Sequence, residues 1–234
     1  MSAGISMWIE DFLSLFYPRL CNGCGRPLFS SEEVICTRCL FKLPQTNFHL
    51  HKDNPVSKIF WGRVPLYSAT SFLFFNKGGI VQNLMHRLKY KNRPGVGIYL
   101  GKQFGFQLAD SPLYKDVDFI VPVPLHPKKE RIRGYNQSAM IAAGLEKSMK
   151  AVAVTDNLIR KIHTSSQTKK SRYSRWENVK GIFELKNRAQ FTHKHILLVD
   201  DVITTGATLE ACCETLLQVP GIKLSVASLA YAQG

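Results

Sequence analysis

The feature that most constrains this chain is a short run in which an apolar segment leads into two adjacent acids and a loop of small residues. Residues 195–199 are strongly apolar and predict a buried strand. Asp200 and Asp201 follow at its carboxyl end, and residues 207–217 predict a helix. Between strand and helix lies a loop that we treat as a candidate binding element, made of Thr204, Thr205, Gly206, Ala207 and Thr208.

This loop and the two acids have the chemistry needed to bind a ribose 5-phosphate. Carboxylates accept hydrogen bonds from vicinal ribose hydroxyls and help to bind Mg2+. Backbone N–H groups at a helix N-terminus, together with threonine hydroxyls, hold a phosphate, and Gly206 lets the backbone come close to it. The alternative is a helix capped by Thr204 or Thr205, with Asp200 and Asp201 as surface acids.

The rest of the chain alternates short apolar segments with helical ones. Residues 64–75 predict an extended or hairpin segment, and residues 79–90 and 96–108 predict helices. Further strands are expected at 117–121, 157–160 and 224–231, with a helix at 137–149. This alternation predicts an α/β fold, in which helices flank a parallel sheet and ligands bind at the carboxyl ends of its strands.

Four cysteines form a second pattern near the start of the chain: Cys21, Cys24, Cys36 and Cys39. Two Cys-x2-Cys turns supply the four thiolates of a tetrahedral zinc site, which leaves no position for a catalytic water. We therefore predict structural zinc, with disulfides or a degenerate site as the alternatives. We call residues 21–39 the cysteine module. Cys212 and Cys213 lie within a predicted helix, and we expect them to be buried packing residues.

Residues 7–16 predict a short amphipathic helix that contains two acids, and they lack the features of a secretion signal. No segment approaches the apolar length that crosses a bilayer. We therefore expect a cytoplasmic protein with reduced thiols, either free in the cytoplasm or peripheral to the inner face of the membrane.

The net charge of +14 points to an anionic partner such as phosphate groups, nucleic acid or an acidic membrane surface. Most of the excess lies in three clusters, at residues 86–93, 126–135 and 160–180. The alternative for each cluster is an ordinary solvated basic face. Four aromatic residues near these clusters are available either for base stacking or for packing: Tyr90, Tyr135, Tyr173 and Trp176.

The run at 195–208 resembles the phosphoribosyl pyrophosphate motif of type I phosphoribosyltransferases. That resemblance implies a pyrophosphate-binding loop after the 117–121 strand and a flexible loop at 161–181 that closes over the ligand. It implies Mg2+ bound with phosphoribosyl pyrophosphate, and cations that stabilise the departing pyrophosphate. The candidates for that catalytic role are Arg131, Arg133, Lys169, Lys170 and Arg172.

The wider arrangement resembles the ComF family, because its characteristic segments occur here in order. They are the four cysteines, Leu88-Lys89-Tyr90, Val121-Pro-Val-Pro, Arg133-Gly-Tyr-Asn-Gln137, Arg160 with Thr164, Gln167, Arg172 and Asn178, and the 200–208 run. The resemblance implies a zinc-ribbon-like module followed by a phosphoribosyltransferase-like domain. It also implies a role in natural competence, in which the protein handles incoming single-stranded DNA and contacts a competence helicase or other DNA-uptake machinery.

We therefore expect the amphipathic helix and cysteine module in residues 1–50, a linker at 51–63, and the phosphoribosyltransferase-like domain at 64–234. Two functions remain open: a competence factor that binds the ligand and DNA, and an active transferase in nucleotide or amine metabolism without a DNA role. Thr204 stands where 6-oxopurine enzymes have a carboxylate, which disfavours purine salvage. The chain has no glutaminase domain, so a glutamine-dependent amidophosphoribosyltransferase is not expected. The cysteine module either docks a partner or acts as a structural clip.

Overall fold

The computed structural model describes residues 18–161 and 181–232, and within them a parallel sheet is flanked by helices on both faces. Its helices are α1 (Thr37–Phe41), α2 (Pro55–Ile59), α3 (Ile80–Tyr90), α4 (Pro94–Asp110), α5 (Pro127–Arg133), α6 (Gln137–Glu146) and α7 (Ala207–Leu216). Its strands are β1 (Ser68–Phe74), β2 (Phe119–Pro122), β3 (Val152–Ala153), β4 (Leu158–Arg160), β5 (Phe183–Leu185), β6 (His195–Ile203) and β7 (Lys223–Tyr231). Short 3-10 helices occupy Phe48–Leu50 and Ala189–Phe191.

The main sheet has the strand order β1-β7-β6-β2-β3, and every neighbouring pair is parallel. From β2 the chain moves outward to β3, whereas from β6 it moves to β7 on the other side. The direction of winding therefore changes between β2 and β6, and the crevice beyond their carboxyl ends is the place where such sheets bind ligands. The predicted α/β parallel fold is confirmed.

The apolar run in β6 is continuous because helices cover both faces of the sheet. Successive side chains of a strand point to opposite faces. Accordingly, Leu197 and Val199 pack in one core cluster with α3, α4 and α6, whereas Ile196 and Leu198 pack in the other with α2 and α7.

Helices α4 and α6 pack unusually close together at glycine positions. A Cβ on Gly101 would lie 2.4 Å from the carbonyl oxygen of Ile141, and one on Gly144 would lie 2.2 Å from that of Ile98. Any larger residue would therefore push the helices apart. This close packing sets the position of α6, whose first turn carries part of the candidate site.

Three segments differ from the sequence-based expectation. Residues 64–75 form no hairpin, since β1 pairs in parallel with the distant β7. The strand expected at 157–160 does not join the main sheet, because β4 pairs with β5 in a separate two-stranded antiparallel sheet. The segment after β2, expected as a loop, turns into α5 at Pro127, where proline suits the first turn of a helix.

The predicted linker at 51–63 contains α2, which begins with an Asn54 capping box. Val56 and Phe60 are fully buried in the core beside α7. A flexible linker would not bury large apolar side chains. Dividing the chain at this segment remains a prediction.

The cysteine module packs directly on the main domain. Cys21, Ile35 and Cys39 belong to the same core cluster as Leu84 of α3. After the module, residues 44–46 lie antiparallel to β1: Phe74 N–H donates to the Pro44 carbonyl at 2.8 Å and Thr46 N–H donates to the Phe72 carbonyl at 3.0 Å. The chain thus covers β1, the outer strand of the sheet. An uncovered edge strand could pair with another chain and aggregate.

The amphipathic helix predicted at 7–16 lies outside the described residues. Among the helices of the described ranges, none combines the length and apolar character needed to cross a membrane.

Candidate functional site

The acid pair, Asp200 and Asp201, lies near the carboxyl end of the central strand β6, on the crevice between β2 and β6. Asp200 Oδ1 accepts hydrogen bonds from Ser138 Oγ at 3.0 Å and from the Asp201 backbone N–H at 2.8 Å. Ser138 is in the first turn of α6, where Asn136 caps the helix by accepting from the Ser138 N–H. The N-terminus of α6 therefore fixes the orientation of one carboxylate.

The second carboxylate is paired with a lysine from a different helix. Lys89 Nζ of α3 lies 3.0 Å from Asp201 Oδ1, and both side chains are mostly buried. From the sequence, Lys89 was noted as part of a family segment and of the basic cluster at 86–93, without a role at the acid pair. The position of Lys89 on α3 does not predict its pairing with Asp201, because only the folded sheet brings this helix beside β6.

Burial and the neighbouring Asp201 charge raise the pKa of Asp200 from 3.8 to about 7. The hydrogen bonds from the Asp201 N–H and Ser138, and the charge of Lys89, act in the opposite direction. Two adjacent carboxylates in a partly buried site resist carrying two negative charges. The pair is therefore suited to a ligand that brings a cation or several hydrogen-bond donors.

The 204–208 loop connects β6 to α7 and lies next to Asp200. Gly206 is the N-cap of α7 and has a positive φ of 74°, with no side-chain cap. Residues 200 and 202–209 line a small cleft of about 70 Å3. The first N–H groups of any helix lack partners within the helix, and they point out of its N-terminus. The cleft thus places backbone donors beside Asp200. The binding role of the acid pair and of the 204–208 loop stays a prediction.

The loop rests on the segment that was expected to be a linker. A Cβ on Gly206 would lie 2.9 Å from Ile59 Cγ2 and 3.1 Å from the Phe60 ring, so only glycine fits here. Arg63 donates to the Thr205 carbonyl at 2.9 Å and forms an ion pair with Glu210 of α7. These interactions could not be predicted from the sequence, because they join residues far apart in the chain.

Of the cations proposed for pyrophosphate, the two that the structure describes, Arg131 and Arg133, do not contact the acid pair. Arg131 is exposed on α5. Arg133 donates to Gln137 Oε1 at 2.6 Å, and its guanidinium lies 5.5 Å from the centre of the Tyr90 ring. Lys169, Lys170 and Arg172 lie outside the described residues, as does most of the predicted closing loop. The catalytic role of these five residues stays a prediction.

The four cysteines of the module converge on one point. Their sulfur atoms all lie within 4.8 Å of one another, and the Sγ atoms of Cys24 and Cys36 are 3.8 Å apart. Four sulfurs placed tetrahedrally around zinc, with Zn–S bonds of about 2.3 Å, would be about 3.8 Å apart. All four cysteines are free of disulfides. The cluster therefore fits a structural zinc ion held by four thiolates.

The protein backbone favours a thiolate at one of these positions. Burial acts to raise the pKa of Cys21, but hydrogen bonds from the backbone of Cys36, Cys24 and Gly23 lower it to about 7. The N–H of Cys36 lies 3.2 Å from Cys21 Sγ. By contrast, Cys212 and Cys213 are fully buried in the core around α7, which confirms their predicted packing role.

Comparison with known proteins gives consistent similarities. The phosphoribosyl transferase domain family matches residues 136–232. Competence protein ComFC of Bacillus subtilis is 30% identical over 214 residues, which cover 90% of this chain and 83% of the relative. Competence protein F of Haemophilus influenzae is 29% identical over 154 residues, which cover 64% of this chain and 67% of the relative. The DNA utilization protein YhgH of Escherichia coli is 25% identical over 209 residues, which cover 88% of this chain and 87% of the relative. The domain match contains the acid pair and the 204–208 loop, whereas Lys89 and Arg63 precede it.

Proposed function

Because this chain belongs to the ComF family, we propose that it binds Mg2+ and phosphoribosyl pyrophosphate at the acid pair and serves in DNA uptake, where it handles incoming single-stranded DNA. The names of the relatives, competence protein and DNA utilization protein, support the DNA part of this proposal. The phosphoribosyl transferase domain match supports the ligand part.

The observation that carries the ligand assignment is the cleft that Asp200 shares with the 204–208 loop, with Asp201 next to it in the chain. A ribose whose diol donates to Asp200 and Asp201 would direct its 5-phosphate to the N-terminus of α7. The hydrogen bond from Arg63 to the Thr205 carbonyl supports the conformation of the loop from outside the loop itself. A preformed loop binds an anion without a large ordering cost.

The carboxylates also fit Mg2+, which prefers oxygen ligands and is commonly bound by one or two carboxylates together with substrate phosphates. When bound, Mg2+ would neutralise the pyrophosphate charge. Lys89 already places one cation beside Asp201, and it would remain there as a donor to the bound sugar or its pyrophosphate. The proton held by Asp200 would leave as the metal arrives, because the cation favours the ionised carboxylate.

We further propose that the cysteine module carries structural zinc and acts as a clip on the main domain. Its core is shared with α3, and the segment that follows it, residues 44–46, covers β1, which is the arrangement expected of a clip. Docking of a helicase or other uptake component on the exposed side of the module is compatible with this role. We place the protein in the cytoplasm, free or at the inner face of the membrane, where the thiols stay reduced.

A second function, an active phosphoribosyltransferase in nucleotide or amine metabolism with no DNA role, is favoured by the acid pair and the loop being complete. Pyrophosphate release measured with a panel of nucleobases and amines separates the two functions. Release that depends on one acceptor supports the transferase. No release from a protein that still binds the ligand supports the competence factor.

Isothermal titration with Mg2+ and phosphoribosyl pyrophosphate tests the site itself. We expect the Asp200→Asn/Asp201→Asn variant to lose at least about 100-fold in affinity, since charged hydrogen bonds contribute roughly 1.5–3 kcal/mol each. The control is Asp110→Asn/Asp156→Asn, which removes two exposed acids elsewhere. If the acid-pair variant binds as tightly as the control, the assignment of this site is wrong.

A further inference from the structure

A groove between the cysteine module and α3 is strongly cationic and has no place in the proposed ligand site. It consists of two adjoining cavities of about 420 and 390 Å3, both lined by Arg87 and Arg93. His86 and Lys91 line the first cavity, and Arg19 lines the second. We call it the module–α3 groove.

The groove carries an excess of positive charge that its own walls do not neutralise. Among the described residues that line the two cavities, Glu33 is the one acid. None of the four Lys and Arg side chains forms a salt bridge to an acid in residues 18–161 or 181–232. Unpaired cations held close together repel one another and are stabilised by an anion that lies among them.

Aromatic side chains lie at the edge of the same groove. The rings of His86 and Tyr90 are 5.3 Å apart, and the Arg133 guanidinium covers the Tyr90 ring at 5.5 Å. Tyr90 is 65% exposed, which is unusual for a ring with a packing role. Cations beside an exposed aromatic ring are the composition of surfaces that bind single-stranded nucleic acids, whose phosphates are accompanied by unstacked bases.

We infer that the module–α3 groove binds the sugar–phosphate backbone of single-stranded DNA, with a base stacked at Tyr90. This inference rests on the DNA part of the proposed function and adds to it a binding surface separate from the acid pair. Arg87 and Arg93 contact phosphates because they line both cavities. The exposed ring at the end of α3 selects unpaired bases over a duplex, since paired bases cannot stack on it.

Helix α3 lies between this surface and the acid pair, and it contacts both the cysteine module and Asp201. Asn83 donates to the Gly23 carbonyl of the cysteine module at 2.9 Å, and Lys89 reaches Asp201. Asn83 and Lys89 are about 9 Å apart along the axis of α3, because each residue advances an α-helix by about 1.5 Å. Variants in the groove therefore test DNA binding next to the ligand site without touching its donors.

Fluorescence anisotropy with a labelled oligothymidylate of about 20 nucleotides measures the effect. The variant is Arg87→Ala/Arg93→Ala, and the matched control is Lys150→Ala/Arg188→Ala, which removes two exposed cations elsewhere. We expect the groove variant to bind roughly tenfold or more weakly and the control to bind like the wild type. The slope of log affinity against log salt should fall by about 1.4, because each phosphate that an arginine no longer neutralises accounts for about 0.7 of that slope.

Tyr90→Ala gives an independent signature. It should weaken binding roughly tenfold while leaving the salt slope unchanged, because stacking releases no counterions. Titration with Mg2+ and phosphoribosyl pyrophosphate should give the same affinity for the groove variant as for the wild type, which also shows that the variant is folded.

Several results would overturn the inference. If the groove variant and the control lose affinity equally, the DNA lies elsewhere. Loss of DNA binding in the Asp200→Asn/Asp201→Asn variant alone would place DNA at the acid pair. Equal displacement of the oligonucleotide by polyglutamate at matched charge would mean an acidic protein surface as the partner. A wild-type protein that does not bind DNA, yet binds phosphoribosyl pyrophosphate, would remove both this inference and the DNA role while leaving the ligand assignment intact.

Discussion

The cysteine module and the acid pair are both clusters of ionisable side chains, but they are assembled from different parts of the chain. The four cysteines come from residues 21–39, and two tight turns aim their sulfurs at one point. The acid pair gains its partners from three separate helices: Ser138 from α6, Lys89 from α3, and the cap of α7. A local site can be recognised from spacing, whereas an assembled site depends on how the whole sheet is packed.

The surroundings of Cys21 and of Asp200 shift the pKa values of these two groups in opposite directions. Backbone hydrogen bonds bring the pKa of Cys21 down from 9.0 to about 7, and burial with a neighbouring charge brings that of Asp200 up from 3.8 to about 7. Backbone hydrogen bonds thus favour the thiolate of Cys21, whereas burial raises the pKa of Cys36 and of Cys39, so that those thiols need a metal in order to ionise. The acid pair opposes full ionisation until a ligand supplies positive charge. The first site is organised for stability and the second for binding.

The largest expected effect comes from removing the zinc that we propose for the cysteine module. We expect Cys39→Ser, or chelation of the wild type, to destabilise the whole protein, because the buried cysteines share a core with α3. Zinc contributes on the order of 10 kcal/mol to small zinc domains, and a loss of even half of this lowers the melting temperature by at least about 10 °C. Calorimetry with and without chelator measures it. A chelated protein that melts at the wild-type temperature would contradict a stabilising role for the metal.

The second largest effect is expected from alanine substitutions at one glycine in each region. Gly25 and Gly206 have φ values of 76° and 74°, but a Cβ on Gly25 meets no atom within 4 Å, whereas one on Gly206 meets Ile59. Gly25→Ala should cost about 1 kcal/mol, for the backbone conformation alone. Gly206→Ala should cost about 2–3 kcal/mol, because overpacking adds to that.

Chemical denaturation compares the two alanine variants, and titration shows whether ligand affinity falls with Gly206→Ala only. Similar losses of stability in both variants would mean that α2 yields and does not hold the loop in place.

The smallest effect concerns the charge of Asp200. Its pKa is higher in the folded protein than in the unfolded chain, so the folded state binds more protons between about pH 4 and pH 7. Stability should therefore fall as the pH rises through this window. Asp200→Asn removes that loss, and we expect the variant to gain about 1 kcal/mol at pH 8, or roughly 2–4 °C, and to gain nothing below pH 4.

Thermal melts across this pH range test the sign. Asp201→Asn is the matched control and should gain less, since Lys89 then loses its partner. A variant at position 200 that is less stable than the wild type at pH 8 would show that its carboxylate is not under electrostatic stress.

Sequence reasoning reached the features that a short stretch of chain determines by itself. The apolar run before Asp200 predicted the central strand, because only a strand covered on both faces is apolar throughout. The Cys-x2-Cys spacing predicted the sulfur cluster, because turn geometry places both sulfurs together. The helix within the 51–63 segment was not predicted, because its polar start is an Asn54 cap and its few apolar residues are too short a run to show helical periodicity.

What the sequence alone determined is therefore the α/β fold, the cysteine cluster and the adjacency of the acids to the 204–208 loop, all of which depend on neighbouring residues. The tertiary structure alone decided that Lys89 pairs with Asp201, that Arg63 holds the loop, and that cations from the cysteine module and α3 line one groove. Interactions between distant residues depend on strand order and helix packing, which many sequences share and no single residue specifies.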